Sequence, residues 1–422
     1  MLKKLPPSHR VRPIRAATLL IGRNRVDEVP NLFLEIEEQL LKLHSLYKVK
    51  NSKYIPIQIN LVQAFNSTAI SSYELLWETV ENWADDVSLY PDKGGLSGQI
   101  LRVMRTSPIA VVDNAPKGTQ LKLLLSLEGN QKLLFKPKRY NISDIIPGVV
   151  YSGFDRHNSE VFAYYLAVVL NMKWISPSVI RKVNINKEII PFATPGLKRT
   201  MVKNEKTGPL CIYGKCYYCK VNETVCPDHK GDIEGAAILY MNKQFRMHRS
   251  PWSRSYKNKK MEWELNNDYC KKVQKGVVQK RILNLIDIAI FDFLIQNGDR
   301  HGYEVYKDKV VMLDNGKGLG NPSVDVLDIL APLYQCCMIT TSTWQQLQLI
   351  SGGSLTETIK LLASIGKEIL TTEEHFQAVE RRLLKVYAVI QYCFYKHGES
   401  RVLRNINNQK YVLVSYNIGI RH

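Results

Sequence analysis

Hydrophobic residues are arranged along the chain in patterns that predict several helices. Apolar side chains cover every side of the segment 282–295, which predicts a buried helix rather than an amphipathic surface helix. The segment 157–171 has the same all-round apolar character and predicts a second buried helix. Periodic apolar residues over 35–44, 72–86 and 344–395 predict helices that pack against a core.

Shorter apolar segments with β-forming residues predict a sheet in the first half of the chain. Residues 109–112 predict one strand, and residues 120–127 and 132–135 predict a hairpin that turns at Glu128-Gly129-Asn130. Residues 235–241 predict a further core strand. This segment lies between the sheet and the helical half, where a segment that contacts adenine would also lie. The pattern indicates an α+β fold with a small β-rich N-lobe and a larger helical C-lobe.

The same patterns suggest where the chain divides. The predicted parts are a tail or linker (1–30), an N-terminal helical segment (31–90), an N-lobe (91–240) with a cysteine-rich insertion (203–232), a C-lobe (241–400) and a C-terminal tail (401–422).

Two carboxylates follow the most strongly apolar helix. That helix ends at Asn297-Gly298, and Asp299 comes next; a short strand, 310–313, then leads to Asp314 before a second Asn-Gly turn. Two aspartates at the mouths of two turns suit phosphoryl transfer, in which one takes the proton of the acceptor hydroxyl and the other holds a divalent metal. The alternative is that both are ordinary turn residues.

A lysine and a glutamate upstream fit the same chemistry. Lys136 ends a predicted strand, and kinases place the lysine that binds the α- and β-phosphates in such a position. The alternative is an edge lysine whose side chain extends to solvent. Glu160 lies in the first turn of a buried helix, and a buried carboxylate needs a nearby cation, for which Lys136 is the candidate. The alternative is that Glu160 is a surface residue favoured by the helix dipole. The glycine-rich loop 94–98 could cover phosphates or could be a plain turn.

Composition indicates an anionic partner. The chain has 422 residues, and 58 Lys and Arg against 39 Asp and Glu give a formal net charge of +19. A basic surface attracts nucleotides, acidic glycans, nucleic acid or membranes, and nucleic acid is disfavoured because no nucleic-acid-binding motif occurs. The basic run 243–260 includes Trp252 and Tyr256, so it predicts either a solvated face or a surface that binds sugars or anions.

The cysteines and glycosylation sequons indicate an oxidising, luminal compartment. All eight cysteines lie in the second half of the chain, and four of them, in 211–226, could hold zinc or form two disulfides. Three Asn-x-Ser/Thr sequons occur, at Asn66, Asn141 and Asn222. No segment has the ~20 apolar residues that a membrane span needs, so we expect membrane attachment only through an N-terminal anchor missing from this sequence.

Over residues 92–398 the chain resembles the secretory-pathway atypical kinase family that contains the Golgi casein kinase and the glycosaminoglycan xylosylkinase. The motifs that carry the resemblance are KGTQLK (117–122), FKP (135–137), RHNSE (156–160), CIYGKCYYC (211–219), IEGA (233–236), PWSRSY (251–256), FDFLIQNGDRHGYE (291–304), LDNGKGLGNPS (313–323) and LAPLYQCC (330–337). Two stretches, 213–219 and 331–344, are more similar to the xylosylkinase branch than to the casein-kinase branch.

The resemblance implies a disulfide-stapled two-lobed kinase fold that uses ATP and Mn²⁺, with Mg²⁺ as an alternative, in the Golgi lumen. It also assigns roles to ten residues: Asp299 is catalytic, Glu160 and Asp314 bind metal, and the nucleotide contacts Gln120, Lys136, Ile238, Leu239, Tyr240, Met241, Glu304 and Asp314. The disulfides it implies are Cys211–Cys226, Cys216–Cys219, Cys270–Cys336 and Cys337–Cys393, which disfavours zinc. Gly302 departs from the family, whose active-site loop usually has a second histidine there.

The expected reaction is phosphorylation of the xylose 2-hydroxyl in the galactosyl-xylose linkage glycan of proteoglycans. Glu160 argues for an active enzyme, because the family's inactive member has an uncharged residue at that position. Two alternatives stay open at this point: a secreted-protein serine kinase of the Golgi casein kinase type, and a non-catalytic pseudokinase that activates a partner. The basic run 243–260 fits a sugar pocket or a peptide groove equally well.

Overall fold

The computed structural model describes residues 29–67, 72–82, 95–116, 118–204, 208–257 and 259–405. Residues 1–28 of the predicted tail, 406–422 of the predicted C-terminal tail and Gly94 of the glycine-rich loop lie outside the described residues.

The two longest helices of the described residues lie in the second half of the chain. The helices are α1 (Val29–Leu41), α2 (Ile55–Phe65), α3 (Tyr73–Glu81), α4 (Leu96–Thr106), α5 (His157–Val169), α6 (Pro195–Lys198), α7 (Tyr269–Gly276), α8 (Gln279–Ile295), α9 (Ala331–Cys336), α10 (Thr341–Leu349), α11 (Ser354–Ile365), α12 (Glu373–His397) and α13 (Glu399–Val402). Short 3₁₀ segments cover Ser45–Lys48, Ser52–Tyr54, Glu128–Asn130, Glu262–Glu264 and Leu327–Leu330, and Ile185–Ile189 forms a π-helical turn.

Strands form one larger sheet and three small ones. They are β1 (Ile109–Asn114), β2 (Leu123–Leu127), β3 (Lys132–Pro137), β4 (Ser178–Asn184), β5 (Met201–Lys203), β6 (Leu210–Ile212), β7 (Asp232–Leu239), β8 (Arg246–Arg249), β9 (Gly302–Tyr306), β10 (Lys309–Val311), β11 (Ile339–Thr340) and β12 (Leu403–Arg404). The larger sheet is antiparallel in the order β1-β2-β3-β7-β4, and the smaller sheets pair β10-β9-β8, β11-β12 and β5-β6.

The N-lobe is built on the five-stranded sheet. The predicted hairpin is confirmed: β2 and β3 pair antiparallel across Glu128–Asn130, where Gly129 has a φ of 77° that suits glycine. Helix α5 packs against β4 and β7. All but one of its 13 residues are buried, as the all-round apolar pattern predicts. The sheet and this helix therefore present Lys136 of β3 and Glu160 of α5 to the same side.

The C-lobe is built around α8. Every residue of α8 from Ile288 to Ile295 is buried, including Asp292, because the helix is surrounded by α5, α9, α12 and β10. The helix ends at Ile295, and the left-handed backbone of Gln296 (φ 57°) turns the chain into the Asp299 loop. Strands β9 and β10 form the hairpin expected between Asp299 and Asp314.

Four disulfides join the pairs that the family resemblance implies: Cys211–Cys226, Cys216–Cys219, Cys270–Cys336 and Cys337–Cys393. The neighbours Cys336 and Cys337 tie the end of α9 to α7 on one side and to α12 on the other. All eight cysteines are thereby used, and the zinc interpretation of 211–226 is wrong for this fold.

Several predicted boundaries need correction. The strand predicted from Gln120 begins only at Leu123. The side chain of Gln120 instead accepts a hydrogen bond from the backbone N–H of Asp155. Strand β3, predicted over 132–135, continues through Lys136 to Pro137. The strand predicted at 310–313 is Lys309–Val311. The predicted C-terminal tail begins with structure, since α13 and β12 continue the chain to Arg404.

The N-terminal helices pack on the outside of the lobes, as expected. Helix α1 lies against α12, and α2 lies between α4 and α11. In the part of the chain that the structure describes, no helix combines the length and apolar character that a membrane span requires.

Candidate active site

The cleft between the lobes is centred on the ammonium group of Lys136. Its Nζ lies 3.0 Å from Asp155 Oδ2 and 2.5 Å from Glu160 Oε1, and it also contacts Asp314 Oδ1. Burial alone would lower the pKa of Lys136, but the charges of Asp155, Asp314 and Glu160 outweigh it and hold that pKa well above its ordinary value. The lysine is therefore charged, and it organises three carboxylates from different parts of the chain.

The three carboxylates form a compact group of oxygen ligands. One ligand oxygen from each of Asp155, Glu160 and Asp314 lies within 4.8 Å of the others. Glu160 is buried, whereas Asp314 keeps 60% of its side-chain surface exposed because it faces the open cleft. The positive charges of Lys136 and Lys122 lower the pKa of Asp314, so this carboxylate is ionised at neutral pH.

Local contacts hold Asp155 and Asp314 in place. The backbone N–H of Asp155 donates to Gln120 Oε1 at 2.7 Å, so Gln120 positions the residue that precedes α5. Asp314 has a left-handed backbone with φ of 57°, which begins the second turn. A Cβ at Gly316 of that turn would come within 2.7 Å of Asp155, so glycine is required there for the two loops to meet.

Asp299 lies in the loop after α8 with its carboxylate held by a tyrosine. Tyr256 donates its hydroxyl to Asp299 Oδ1 at 2.5 Å and lies 3.0 Å from His301 Nδ1. Burial raises the pKa of Asp299 above its ordinary value, and the hydrogen bond from Tyr256 partly offsets this. Tyr256 belongs to the basic run 243–260, which thereby supplies a side chain to the Asp299 loop.

Arg300 joins the two aspartate loops. Its guanidinium donates to both carboxylate oxygens of Asp292, at 2.5 and 2.8 Å, and also to Leu313 O and Asn315 Oδ1. Asp292 is only 3% exposed, and burial raises its pKa while Arg300 lowers it. This bidentate pair fixes the Asp299 loop relative to the Asp314 loop.

Aromatic rings surround the open side of Asp299. Tyr151 packs edge-on against Tyr256 with ring centroids 5.1 Å apart, and His301 packs against Tyr256 at 6.0 Å. Burial raises the pKa of Tyr256, and the hydrogen bond to Asp299 and the charge of Asp299 raise it further. Smaller contributions come from Tyr151 and from Tyr218 of the disulfide turn Cys216–Cys219. Aromatic faces beside a polar carboxylate suit recognition of a ring that carries hydroxyl groups.

Four of the remaining predicted nucleotide contacts lie at the end of β7 or directly after it. Ile238 and Leu239 end β7, which pairs with β3, and Tyr240 and Met241 follow directly. Gln131 Nε2 donates to Tyr240 O at 3.2 Å, and Tyr240 N donates to Lys132 O at 2.9 Å. This segment therefore lies beside the start of β3, and Lys136 lies further along that strand.

Glu304 lies on β9, near Asp314 and Arg300. Burial raises its pKa, Arg300 lowers it, and the charge of Asp314 raises it further. It belongs to the same electrostatic cluster, although it is outside the group of three carboxylates that could share a metal in the described part of the chain.

Sequence reasoning missed Asp155. The residue lies two positions before α5, in a loop with no periodic pattern, and only its place directly before the RHNSE motif could have drawn attention to it. Its carboxylate is nonetheless as close to Lys136 as a direct hydrogen bond allows.

The three carboxylates fit a hard divalent cation. Mn²⁺ and Mg²⁺ prefer oxygen ligands, and three anionic side chains around one lysine leave a net negative charge that a divalent ion would neutralise. Asp155, Glu160 and Asp314 are the residues that would hold it.

Comparison with known proteins places this arrangement in a family. Residues 75–402 match the family model described as Golgi casein kinase, C-terminal, Fam20. The chain belongs to the Fam20 family. The predicted resemblance is thus confirmed.

Among Fam20 proteins, the chain is similar to those named as xylosylkinases. It is 42% identical over 369 residues to the glycosaminoglycan xylosylkinase homolog of Drosophila melanogaster, covering 86% of this chain and 88% of that protein. It is 40% identical over 340 residues to the human glycosaminoglycan xylosylkinase, covering 78% and 82%. The human extracellular serine/threonine protein kinase FAM20C is 34% identical over 321 residues, covering 71% and 54%.

Solved Fam20 structures have the same fold. Hydra Fam20 with sugar gives a TM-score of 0.74 at 36% identity, over 78% of this chain and 98% of that one. The Golgi casein kinase with Mn/ADP bound gives 0.73 at 26% identity, over 91% and 96%. The predicted α+β, kinase-like fold is confirmed.

Proposed function

We propose that this chain is an ATP-dependent kinase that phosphorylates the 2-hydroxyl of xylose in the linkage region of proteoglycans. The observation that carries the proposal is the position of Asp299. It lies beside Tyr256 and Tyr151 and within the electrostatic influence of Asp314, one of the three carboxylates around Lys136. An arrangement of this kind brings a sugar hydroxyl, a proton acceptor and a site for metal-bound phosphates together.

The side chains divide the chemistry between them. The xylose oxygen attacks the γ-phosphorus, the bond from that phosphorus to the β–γ bridging oxygen breaks, and Asp299 takes the hydroxyl proton. Tyr256 holds Asp299 in place for this transfer. Lys136 would bind the phosphates, and Gln120, Glu304 and the segment 238–241 would complete the nucleotide site.

The metal in this proposal is Mn²⁺. It would be held by Asp155, Glu160 and Asp314, and when bound it would neutralise phosphate charge during transfer. The Mn/ADP complex of the Golgi casein kinase supports Mn²⁺. Mg²⁺ shares the preference for oxygen ligands and is the alternative ion.

Two comparisons favour a glycan acceptor over a protein acceptor. The relatives named as xylosylkinases are more similar to this chain than FAM20C is, and the related hydra structure contains sugar. Retention of Glu160 beside Lys136, together with Asp299 and Asp314, favours catalysis over a pseudokinase role.

We assign the protein to the Golgi lumen. The four disulfides favour an oxidising compartment. Asn66, Asn141 and Asn222 are all exposed, so each sequon could accept a glycan.

The proposal is tested by offering the purified protein Mn-ATP with two acceptors, a galactosyl-xylose glycoside and casein. We expect phosphate on the glycoside and none on casein. Asp299→Ala should abolish transfer while nucleotide binding is kept, and the exposed Asp268→Ala serves as the matched control. Phosphate on casein alone would assign the chain to the protein kinases, and phosphate on neither acceptor would favour a non-catalytic role.

A further inference from the structure

A separate cavity adjoins the catalytic loop. It has a volume of about 520 Å³ and lies between the segments 146–152, 254–257 with 259–264, and 320–326. We call it the basic cavity. It does not include Lys136 or the carboxylates around that lysine, so the phosphoryl-transfer chemistry leaves it unexplained.

Two arginines in the wall of the basic cavity have unused hydrogen-bond donors. Arg156 is 4% exposed, and its Nε and Nη2 donate to the carbonyl oxygens of Gly318 and Lys317, but its buried Nη1 has no partner. Arg254 lies over the ring of Trp263 and 3.9 Å from Asp328, yet its Nη2 is also buried without a partner. A buried guanidinium N–H without an acceptor is unfavourable. The positive charges of both guanidinium groups make the cavity attractive to an anion.

Three lysines extend the positive charge to the mouth of the cavity. Lys257, Lys259 and Lys260 are exposed lining residues. Among the described residues that line the cavity, Glu264 is the one carboxylate, and it already accepts a hydrogen bond from the backbone N–H of Met261. Five cations against one carboxylate make the cavity an attractive site for anions.

The basic cavity is next to the acceptor side of the active site. Tyr151 lines it and also packs on Tyr256, whose hydroxyl binds Asp299. Val150, another lining residue, packs directly against Gly298 of the loop that carries Asp299. A Cβ atom on residue 298 would lie only 2.0 Å from the side chain of Val150. A ligand that places a hydroxyl on Asp299 could therefore extend past these rings into the cavity.

We propose that the basic cavity binds acidic side chains of the peptide that carries the acceptor xylose. The inference rests on the proposed function, in which the reacting disaccharide is itself neutral and cannot use these cations. Five of the lining side chains are aliphatic and one is aromatic; the aliphatic residues are Ile146, Val149, Val150, Val324 and Val326. Such a lining suits the methylene groups of a peptide better than the hydroxyls of an acidic sugar, which need many polar partners.

The test compares acceptors that differ only in charge. One is a galactosyl-xylosyl glycopeptide with glutamates next to the glycosylated serine, and the second has glutamine at the same positions. A neutral galactosyl-xylose glycoside and a glycoside extended with a uronic acid complete the set. We expect the wild-type KM for the glutamate glycopeptide to be about tenfold below that for the glutamine version, which is within the range for two exposed ion pairs.

A pair of double variants separates the cavity from the overall charge. Lys257→Gln with Lys260→Gln should reduce the KM ratio between the two glycopeptides to about twofold, since the exposed ion pairs are lost. Lys48→Gln with Lys275→Gln lowers the net charge equally at exposed positions outside the cavity lining and should keep the full ratio. Circular dichroism and melting temperature would check that each variant is folded.

Several outcomes would overturn the inference. Equal KM values for the two glycopeptides would overturn it, and so would an equal loss in both double variants or a preference for the uronic-acid glycoside alone. Failure of the wild type to phosphorylate the neutral glycoside would instead refute the proposed function. The two failures are therefore distinguishable.

Discussion

The hydrogen bond from Tyr256 to Asp299 allows a quantitative prediction about the pH dependence of catalysis. Replacing Tyr256 with phenylalanine removes the hydroxyl that donates to Asp299 Oδ1 at 2.5 Å and keeps the ring that packs on Tyr151. The hydrogen bond favours the ionised carboxylate, so its loss raises the pKa of Asp299 beyond the increase that burial already causes. Asp299 accepts a proton only when ionised, so the acidic limb of the rate profile should move to higher pH.

The size of the shift follows from the exposure of the donor. A hydrogen bond to a charged group contributes about 1.5 to 3 kcal/mol. Tyr256 is 59% exposed, so water replaces part of the lost interaction and the lower end of this range applies. About 1.4 kcal/mol corresponds to one pKa unit. We therefore expect the midpoint of the acidic limb of kcat/KM to rise by about one pH unit.

The assay measures kcat/KM for a galactosyl-xylose glycoside with saturating Mn-ATP, from mildly acidic to mildly alkaline pH. Tyr395→Phe is the matched control, because Tyr395 is 85% exposed on α12 and should leave the profile unchanged. If Tyr256→Phe kept the wild-type midpoint, the bond would be irrelevant to the ionisation of Asp299 during turnover, or Asp299 would not be the group that titrates.

Three further predictions concern metal binding and stability. Asp155→Asn should weaken Mn²⁺ binding in the presence of ADP by at least about tenfold, because one of three anionic ligands is neutralised. Calorimetry would measure the affinity, and an unchanged value would exclude Asp155 from the metal site. Burial raises the pKa of Asp287 from 3.8 to about 7. Between these two pH values the folded protein binds more protons than the unfolded chain. Its free energy of unfolding therefore falls by up to about 1.4 kcal/mol for each pH unit as the pH rises. Asp287→Asn should therefore gain melting temperature over the wild type as pH increases through this window, and a pH-independent difference would contradict the assignment. Arg300→Gln should lower the free energy of unfolding by about 3 to 5 kcal/mol because it leaves buried Asp292 without its guanidinium partner, and an unaltered denaturation midpoint would show that the pair is not needed for stability.

The elements that could be predicted from the sequence are those with strong local patterns. Helices α5 and α8 are apolar on all sides, and the structure buries both. The hairpin between β2 and β3 was predictable from its turn residues. The start of β2 was not, because Gln120 makes a tertiary hydrogen bond to Asp155 that no strand pattern encodes.

The candidate site was predictable where a residue lies in a recognisable motif. Lys136, Glu160 and Asp314 meet as the sequence suggests. Asp155 was missed because its role depends on the approach of two loops at Gly316. The basic run 243–260 was interpreted as a surface, yet it includes the exposed strand β8, the tyrosine that binds Asp299 and part of the basic cavity.

The central claim is that this cleft transfers phosphate to the 2-hydroxyl of xylose. The most direct measurement is phosphorus–proton correlation NMR of the product formed from a galactosyl-xylose glycoside and Mn-ATP. The account predicts a single phosphate signal coupled to the xylose H2 proton, absent from the Asp299→Ala reaction. A signal coupled to a galactose proton or to another xylose position, or a product that persists with Asp299→Ala, would contradict it.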